Sequence, residues 1–201
     1  MRVIATSVSK GSNGSALPET SLEFESGRAR LTAVETAQRP TVLSLIVSGR
    51  MKPATGTVTI DGSQNAIVDA PDISEPHSDV RFGNVVAEEL MFAGRVPAPW
   101  NVRQWLDEHG MREHSRVQMG DLAPGIRVRA LAELALLRRE VEGLVIVSPD
   151  RHGGDPREWW GIAEELAARG VAVLVVAALG GWMSLTTGLL LNEGSAALII
   201  L

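Results

Sequence analysis

Two uninterrupted apolar runs separated by one capped helix constrain this chain more than any other feature. "GLVIVSPD" (Gly143 to Asp150) and "VAVLVVA" (Val171 to Ala177) show no polar alternation, so each reads as a strand buried on both faces. Between them "DPREWWGIAEELAARG" reads as a helix. Asp155 is placed to cap its first turn and Gly170 to end it. Strand, helix, strand over so short a span predicts a right-handed parallel crossover, and hence an α/β sheet flanked by helices.

The other segments fit around that unit. "RVIATSVS" and "SLEFES" read as two strands joined by a Gly/Ser/Asn loop, and "RLTAV" (Arg30 to Val34) as a third. A helix is expected from Pro40 to Ser48, with proline in the first turn where no intrahelical N–H is lost. "GTVTIDG" (Gly56 to Gly62) alternates as a strand and ends in an Asp-Gly turn. "VVAEELMFAGR" and "VRQWLDEHGM" carry apolar residues at helical spacing, and "IRVRALAELALLRREV" reads as one long amphipathic helix.

Composition narrows the function classes. A net charge of −5 without a basic run makes nucleic acid an unexpected partner. The absence of cysteine removes disulfides, thiol catalysis and thiolate metal sites. The opening "MRVIATSVSKGSNGS" has no long apolar core, so no signal peptide is expected and the cytosol is the expected compartment. "LPETS" (Leu17 to Ser21) resembles a sorting signal but has no apolar tail behind it. The uncharged run between Arg169 and Glu193 is long enough for a membrane span. Its β-branched start and Gly180-Gly181 favour two buried strands around a glycine turn.

In an α/β sheet, sites lie at the carboxyl ends of strands. Those ends are expected at residues 35 to 40, 148 to 155 and 177 to 181. "SPDRHGGDP" is the most polar of them, with Asp150, Arg151, His152 and Asp155 able to serve a metal, a phosphate or a general base. The plainer reading is a solvated loop feeding a capped helix. His77, His109, His114 and His152 show no metal-ligand spacing, and no metal site is expected. Of Trp159 and Trp160, one is expected to pack and the other to face a groove or partner, with core packing the favoured role for both.

Taken in order, the segments resemble the ATP-binding cassette family, the nucleotide-binding domains of ABC transporters. "GRMKPATGTVTIDG" is similar to the family's G-x-x-x-P-x-x-G-x-x-x-x-x-G segment. "VAEELMFAGR" resembles the helix opening its helical subdomain, and "MGDLAPGIRVRALAELAL" the stretch into the signature motif. "VIVSPDRHGGDP" resembles the Walker B motif with its D-loop, and "LLLNEGSAALII" the late strand, turn and strand. The resemblance implies a P-loop NTPase-like, mostly parallel sheet with N-terminal antiparallel strands and a small inserted helical subdomain. It places the N-terminal β and core part at residues 1–74, the helical subdomain at 75–120 and the rest of the core at 121–201, as one domain overall.

The same resemblance implies that the chemistry is lost. The phosphate loop falls on Val34 to Thr41, with Val34 and Arg39 for its glycines, Pro40 for its lysine and only Thr41 fitting. Such a loop needs converging N–H groups and an ammonium, and proline supplies neither. The Walker B aspartate falls on Ser148, the general base on Pro149, and the signature on "LAPGI" (Leu122 to Ile126). The Q-loop glutamine falls on Asp72 and the switch histidine near Ala178, and no aromatic precedes Phe24 to stack on adenine. The D-loop aspartate, Asp155, is retained.

The expectation is a non-hydrolytic, pseudo-ATPase cassette with no catalytic residues and no required cofactor, binding ATP and Mg weakly or not at all. Its residual site positions are Arg39, Thr41, Asp72, Arg151 and Asp155. Arg39 and Arg151, on adjacent strand-end loops, are expected to attract phosphate or sulfate. Expected partners are a transmembrane subunit or another cassette, as a homo- or heterodimer, at the cytoplasmic face of a membrane. Trp100, Trp105 and Phe92 are expected to line the docking groove. One alternative is the degenerate half of an asymmetric ATPase pair. Another is a diverged hydrolase using Asp150, His152 and Asp155.

Overall fold

The structure is a computed structural model and describes residues 1–34, 38–178 and 198–200. Strands β1 (Arg2–Lys10), β2 (Leu17–Glu25) and β4 (Thr55–Asp61) form an antiparallel sheet in the order β2-β1-β4. Strands β3 (Ala29–Val34), β5 (Gln64–Val68), β6 (Val141–Val147), β7 (Ala172–Ala178) and β8 (Leu198–Ile200) form a second sheet, ordered β5-β6-β7-β3-β8 and parallel throughout.

The helices are α1 (Arg39–Val47), α2 (Phe82–Phe92), α3 (Pro99–Glu108), α4 (Pro124–Ala135) and α5 (Pro156–Ala168). Strands β6 and β7 are buried on both faces, which explains their unbroken apolar runs. Leu144, Ile146, Val173 and Val175 face a core shared with α2, α3, α4 and α5. Val145, Val147, Leu174 and Val176 face the opposite core, shared with α1 and the antiparallel sheet. Phe82, Trp105 and Met119 belong to the first cluster, so residues of the 75–120 stretch share a core with the sheet.

The antiparallel sheet is irregular in the second half of β1. Ser7 has φ +49°, and the register of β1 shifts there against both neighbours. Gly56 faces this bulge, where a Cβ would lie 2.2 Å from the Thr6 carbonyl oxygen, so the close approach needs glycine.

Several sequence expectations change. Gln64–Val68 is a strand, missed because it is short and begins with two polar residues; it forms one edge of the parallel sheet. Helix α4 stops at Ala135, where the chain turns back toward β6, so "LLRRE" is not helical. Trp159 and Trp160 are both buried, the role favoured for them from the sequence. The first half of the long uncharged run is β7, paired on both sides. Its second half lies outside the described residues. Among the described residues no helix is long and apolar enough to cross a membrane.

Candidate functional site

The polar centre of the molecule forms where β5 and β6 end side by side. Leaving β5, Asp69 takes φ +58°; leaving β6, Ser148 takes φ +46° and donates its N–H to the Val176 carbonyl at 2.7 Å. Left-handed backbone at two non-glycine residues is a local strain, better tolerated by aspartate than by most side chains. These turns aim the Asp69 carboxylate and the Pro149–His152 turn at each other.

Asp69 is buried, with 1% of its side chain exposed. Arg127, in the first turn of α4, meets it bidentately, Nε to Oδ2 at 2.9 Å and Nη2 to Oδ1 at 2.7 Å. His152 Nε2 lies 2.8 Å from Oδ2, and Arg151 Nη2 lies 3.1 Å from Oδ1. Arg151 also donates to the Asp69 carbonyl at 2.7 Å and pairs with Glu75 at 3.1 Å. Arg127 donates its remaining Nη1–H to the Met119 carbonyl at 2.8 Å.

We assign the His152 proton to Nε2, because a lone pair there would face a carboxylate oxygen. Arg151 Nε, 2.9 Å from the same nitrogen, is then a neighbouring donor without an acceptor in that ring. Burial by itself would raise the Asp69 carboxyl. Hydrogen bonds from His152 and Arg127 and the charges of Arg127 and Arg151 outweigh it and hold the group below its ordinary range.

The ligand atoms of Asp69, Glu75 and His152 lie within 4.8 Å of one another, close enough in principle to surround a cation. The donor set argues otherwise. Both oxygens of Asp69 already accept from guanidinium groups, and a divalent ion would face Arg127 and Arg151 at close range. The cluster is an internal ion network and does not fit a metal.

The structure scatters the residues expected to form a site. Of them, Arg151 and His152 join the network. Arg39 and Thr41 sit half-buried at the start of α1, and the Thr41 carbonyl accepts from Ser44 Oγ at 2.7 Å. Residues 35 to 37 of the turn before them lie outside the described residues. The loops after β3 and β6 are not adjacent, because β7 runs between those strands. Arg151 turns to Asp69 and Glu75 on the β5 side, whereas Arg39 opens α1 after β3.

Asp72 is exposed, at φ +60°, and the side chain that enters the network is Asp69, the first residue after β5. Asp155 caps α5, accepting the Arg157 N–H at 2.9 Å; the Arg157 guanidinium, at 2.6 Å, and then this cap bond hold its carboxyl below the ordinary range. His152 and Asp155 thus have separate partners, Asp69 and Arg157. Asp69, Glu75 and Arg127 were the residues missed. The available signal was "AIVD", an acid closing a short apolar run, visible only once Gln64–Val68 is read as a strand.

Beside the network runs a groove of about 680 Å³ between the β5 edge, the 73–76 loop, α2 and α4. Exposed Ile73 and Phe92 stand among its lining residues. Burial raises the Glu89 carboxyl in this groove, against the opposing pull of Arg138 and with a further push from Glu88. Trp105, expected to line a docking surface, is buried instead. It stacks on His109 with ring centroids 4.1 Å apart and meets Phe82 edge-on.

No family profile and no curated protein matches the sequence. Solved structures do match. A bacterial ABC transporter cassette, MJ0796, described as a dimer, superposes with a TM-score of 0.63 over 87% of each chain at 15% identity. CbiO1 from Clostridium perfringens, part of the ABC transporter complex cbiONQ, gives 0.60 over 88% of this chain and 77% of its own at 16% identity. An ATP-binding subunit of an ABC transporter gives 0.60 over 89% and 80% at 15% identity. The chain has the fold of an ABC-type ATP-binding cassette. At this identity the likeness establishes the fold alone. What the cassette does rests on its own residues.

Proposed function

We propose that this cassette is a pseudo-ATPase, a non-hydrolytic structural or regulatory partner in a membrane-associated or ABC-type complex. The observation that carries the reading is the state of the strand ends. Phosphoryl transfer needs a carboxylate for the metal and a base for water. At the end of β6 the chain has Ser148 and Pro149, and the buried carboxylate beside them, Asp69, is saturated by Arg127, Arg151 and His152. An acid in that state neither accepts a proton from water nor supports magnesium. Calorimetric titration of the purified chain with Mg-ATP tests this. We expect no saturable heat, and micromolar binding overturns the reading.

In this proposal the partner docks on the groove along β5, with Ile73 and Phe92 as the apolar contacts and a helix of a transmembrane subunit as occupant. A second reading, the structural half of an asymmetric ATPase pair, is favoured by Asp155. It stands exposed at the start of α5, where it could act across an interface. In that case adding this chain raises the ATPase rate of an intact partner cassette. Equal rates with and without it eliminate the pair.

A further inference from the structure

A second groove, of about 650 Å³, lies between α2 and α3, away from the strand ends. Four arginines line it, Arg81, Arg103, Arg112 and Arg116, against one acid, Glu113. Arg112 is engaged by Asp107. Arg81, Arg103 and Arg116 form no ion pair among the described residues. Arg28, Arg30, Arg50, Arg95 and Arg139 likewise form none among the described residues, but Arg81, Arg103 and Arg116 share one groove on a chain whose net charge is −5.

The groove is held rigidly. Arg81 and Gln118 bridge as antiparallel backbone, and the Phe82 and Gly83 N–H groups donate to the Val117 and Ser115 carbonyls, each at 2.9 Å. A Cβ on Gly83 would lie 2.9 Å from the Ser115 carbonyl oxygen, so the Ser115–Arg116 segment can seat here only against glycine. The positive end of the α2 dipole opens on the same side as Arg81. Pro97, Pro99 and half-buried Val102 give the groove an apolar wall, and exposed Trp100 follows Pro99 in the chain.

We infer that this groove binds an acidic segment of a partner protein, carboxylates against Arg81, Arg103 and Arg116 and apolar side chains on the wall between them. A free phosphate uses the guanidinium groups and leaves that wall uncovered. A lipid surface needs cations on a protrusion, and these line a concavity. A nucleic acid would extend beyond the groove over a chain whose net charge is −5. The surface and its occupant are independent of the nucleotide reading and of the β5 groove.

The test uses the full chain and a fluorescein-labelled peptide of repeating Glu-Leu-Glu-Glu units, followed by anisotropy. Binding is expected, weakening as salt rises. The double variant Arg103→Glu, Arg116→Glu should weaken it at least about tenfold, as expected for reversing charge in a complementary site. Both residues are exposed, so an unchanged melting temperature shows that the variant is folded. Absence of peptide binding overturns the proposal. So does equal binding by the double variant or by a peptide with Gln for Glu. Full displacement by inorganic phosphate at matched ionic strength, or binding to anionic phospholipid vesicles in place of the peptide, replaces it with a small-anion or lipid site.

Discussion

Two clusters of arginine in this protein follow opposite rules. At the strand ends, Arg127 and Arg151 converge on Asp69 and Glu75, and the positive charge is cancelled within a few ångströms. In the groove between α2 and α3, Arg81, Arg103 and Arg116 face solvent without a carboxylate partner among the described residues. A buried charge must be paired where it stands, because desolvation costs several kcal/mol per ion (roughly). An exposed one stays hydrated, and its partner can come from another molecule. The first cluster is therefore read as structure and the second as a surface waiting to be covered.

The most direct way to break that contrast is to remove Arg127. Arg127→Met leaves the Asp69 carboxylate buried without its bidentate partner, and urea unfolding should report a loss of about 3–5 kcal/mol. A loss below about 1 kcal/mol would mean that water reaches the site and that the network is not integral. Adding Asp69→Leu to that variant should restore part of the stability, since the buried pair is replaced on both sides and Arg151 keeps Glu75, while His152 loses its acceptor. Failure to restore it would assign the loss to packing of the Arg127 stem.

Acid supplies the next comparison. The folded-state carboxyl of Asp69 is held below its ordinary value of about 3.9. Its contribution is therefore fully present above that value and is lost as pH falls through the lower, folded-state value. Melting temperatures measured from pH 5 down to roughly 2 should fall more steeply for the wild type than for Asp69→Asn. Parallel curves would remove Asp69 as the responsible group.

Smaller effects sharpen the surface side. Asp155→Ala removes the α5 cap and should lower the melting temperature slightly, with Asp155→Asn restoring most of it. Arg103→Glu and Arg116→Glu should leave stability within about 0.5 kcal/mol of wild type, as expected for exposed side chains without partners. A larger loss would mean that the open groove is a structural cluster after all.

Much of the fold was legible because its signals are local. The apolar runs of β6 and β7, the Asp155 cap and the order of segments each depend on residues close in the chain. The missed strand shows the limit of that reading. Gln64–Val68 is too short for periodicity to mark, and it became evident only by pairing with β6. With β5 unseen, the acid at its end was unseen, and attention fell on Asp72 and on an Arg39–Arg151 pair that β7 separates.

The sequence by itself determined that β6 and β7 are strands buried on both faces, that α5 is capped, and that Ser148-Pro149 offers no carboxylate at the end of β6. Only the tertiary structure decided what the charged residues are for. Asp69 meets Arg127 and His152 across 58 and 83 positions of chain, and nothing periodic links them. Hydrophobic burial leaves a repeating pattern because every turn of helix or step of strand presents a face. An ion pair is made between two points, and its partners are known only when strand order brings those points together.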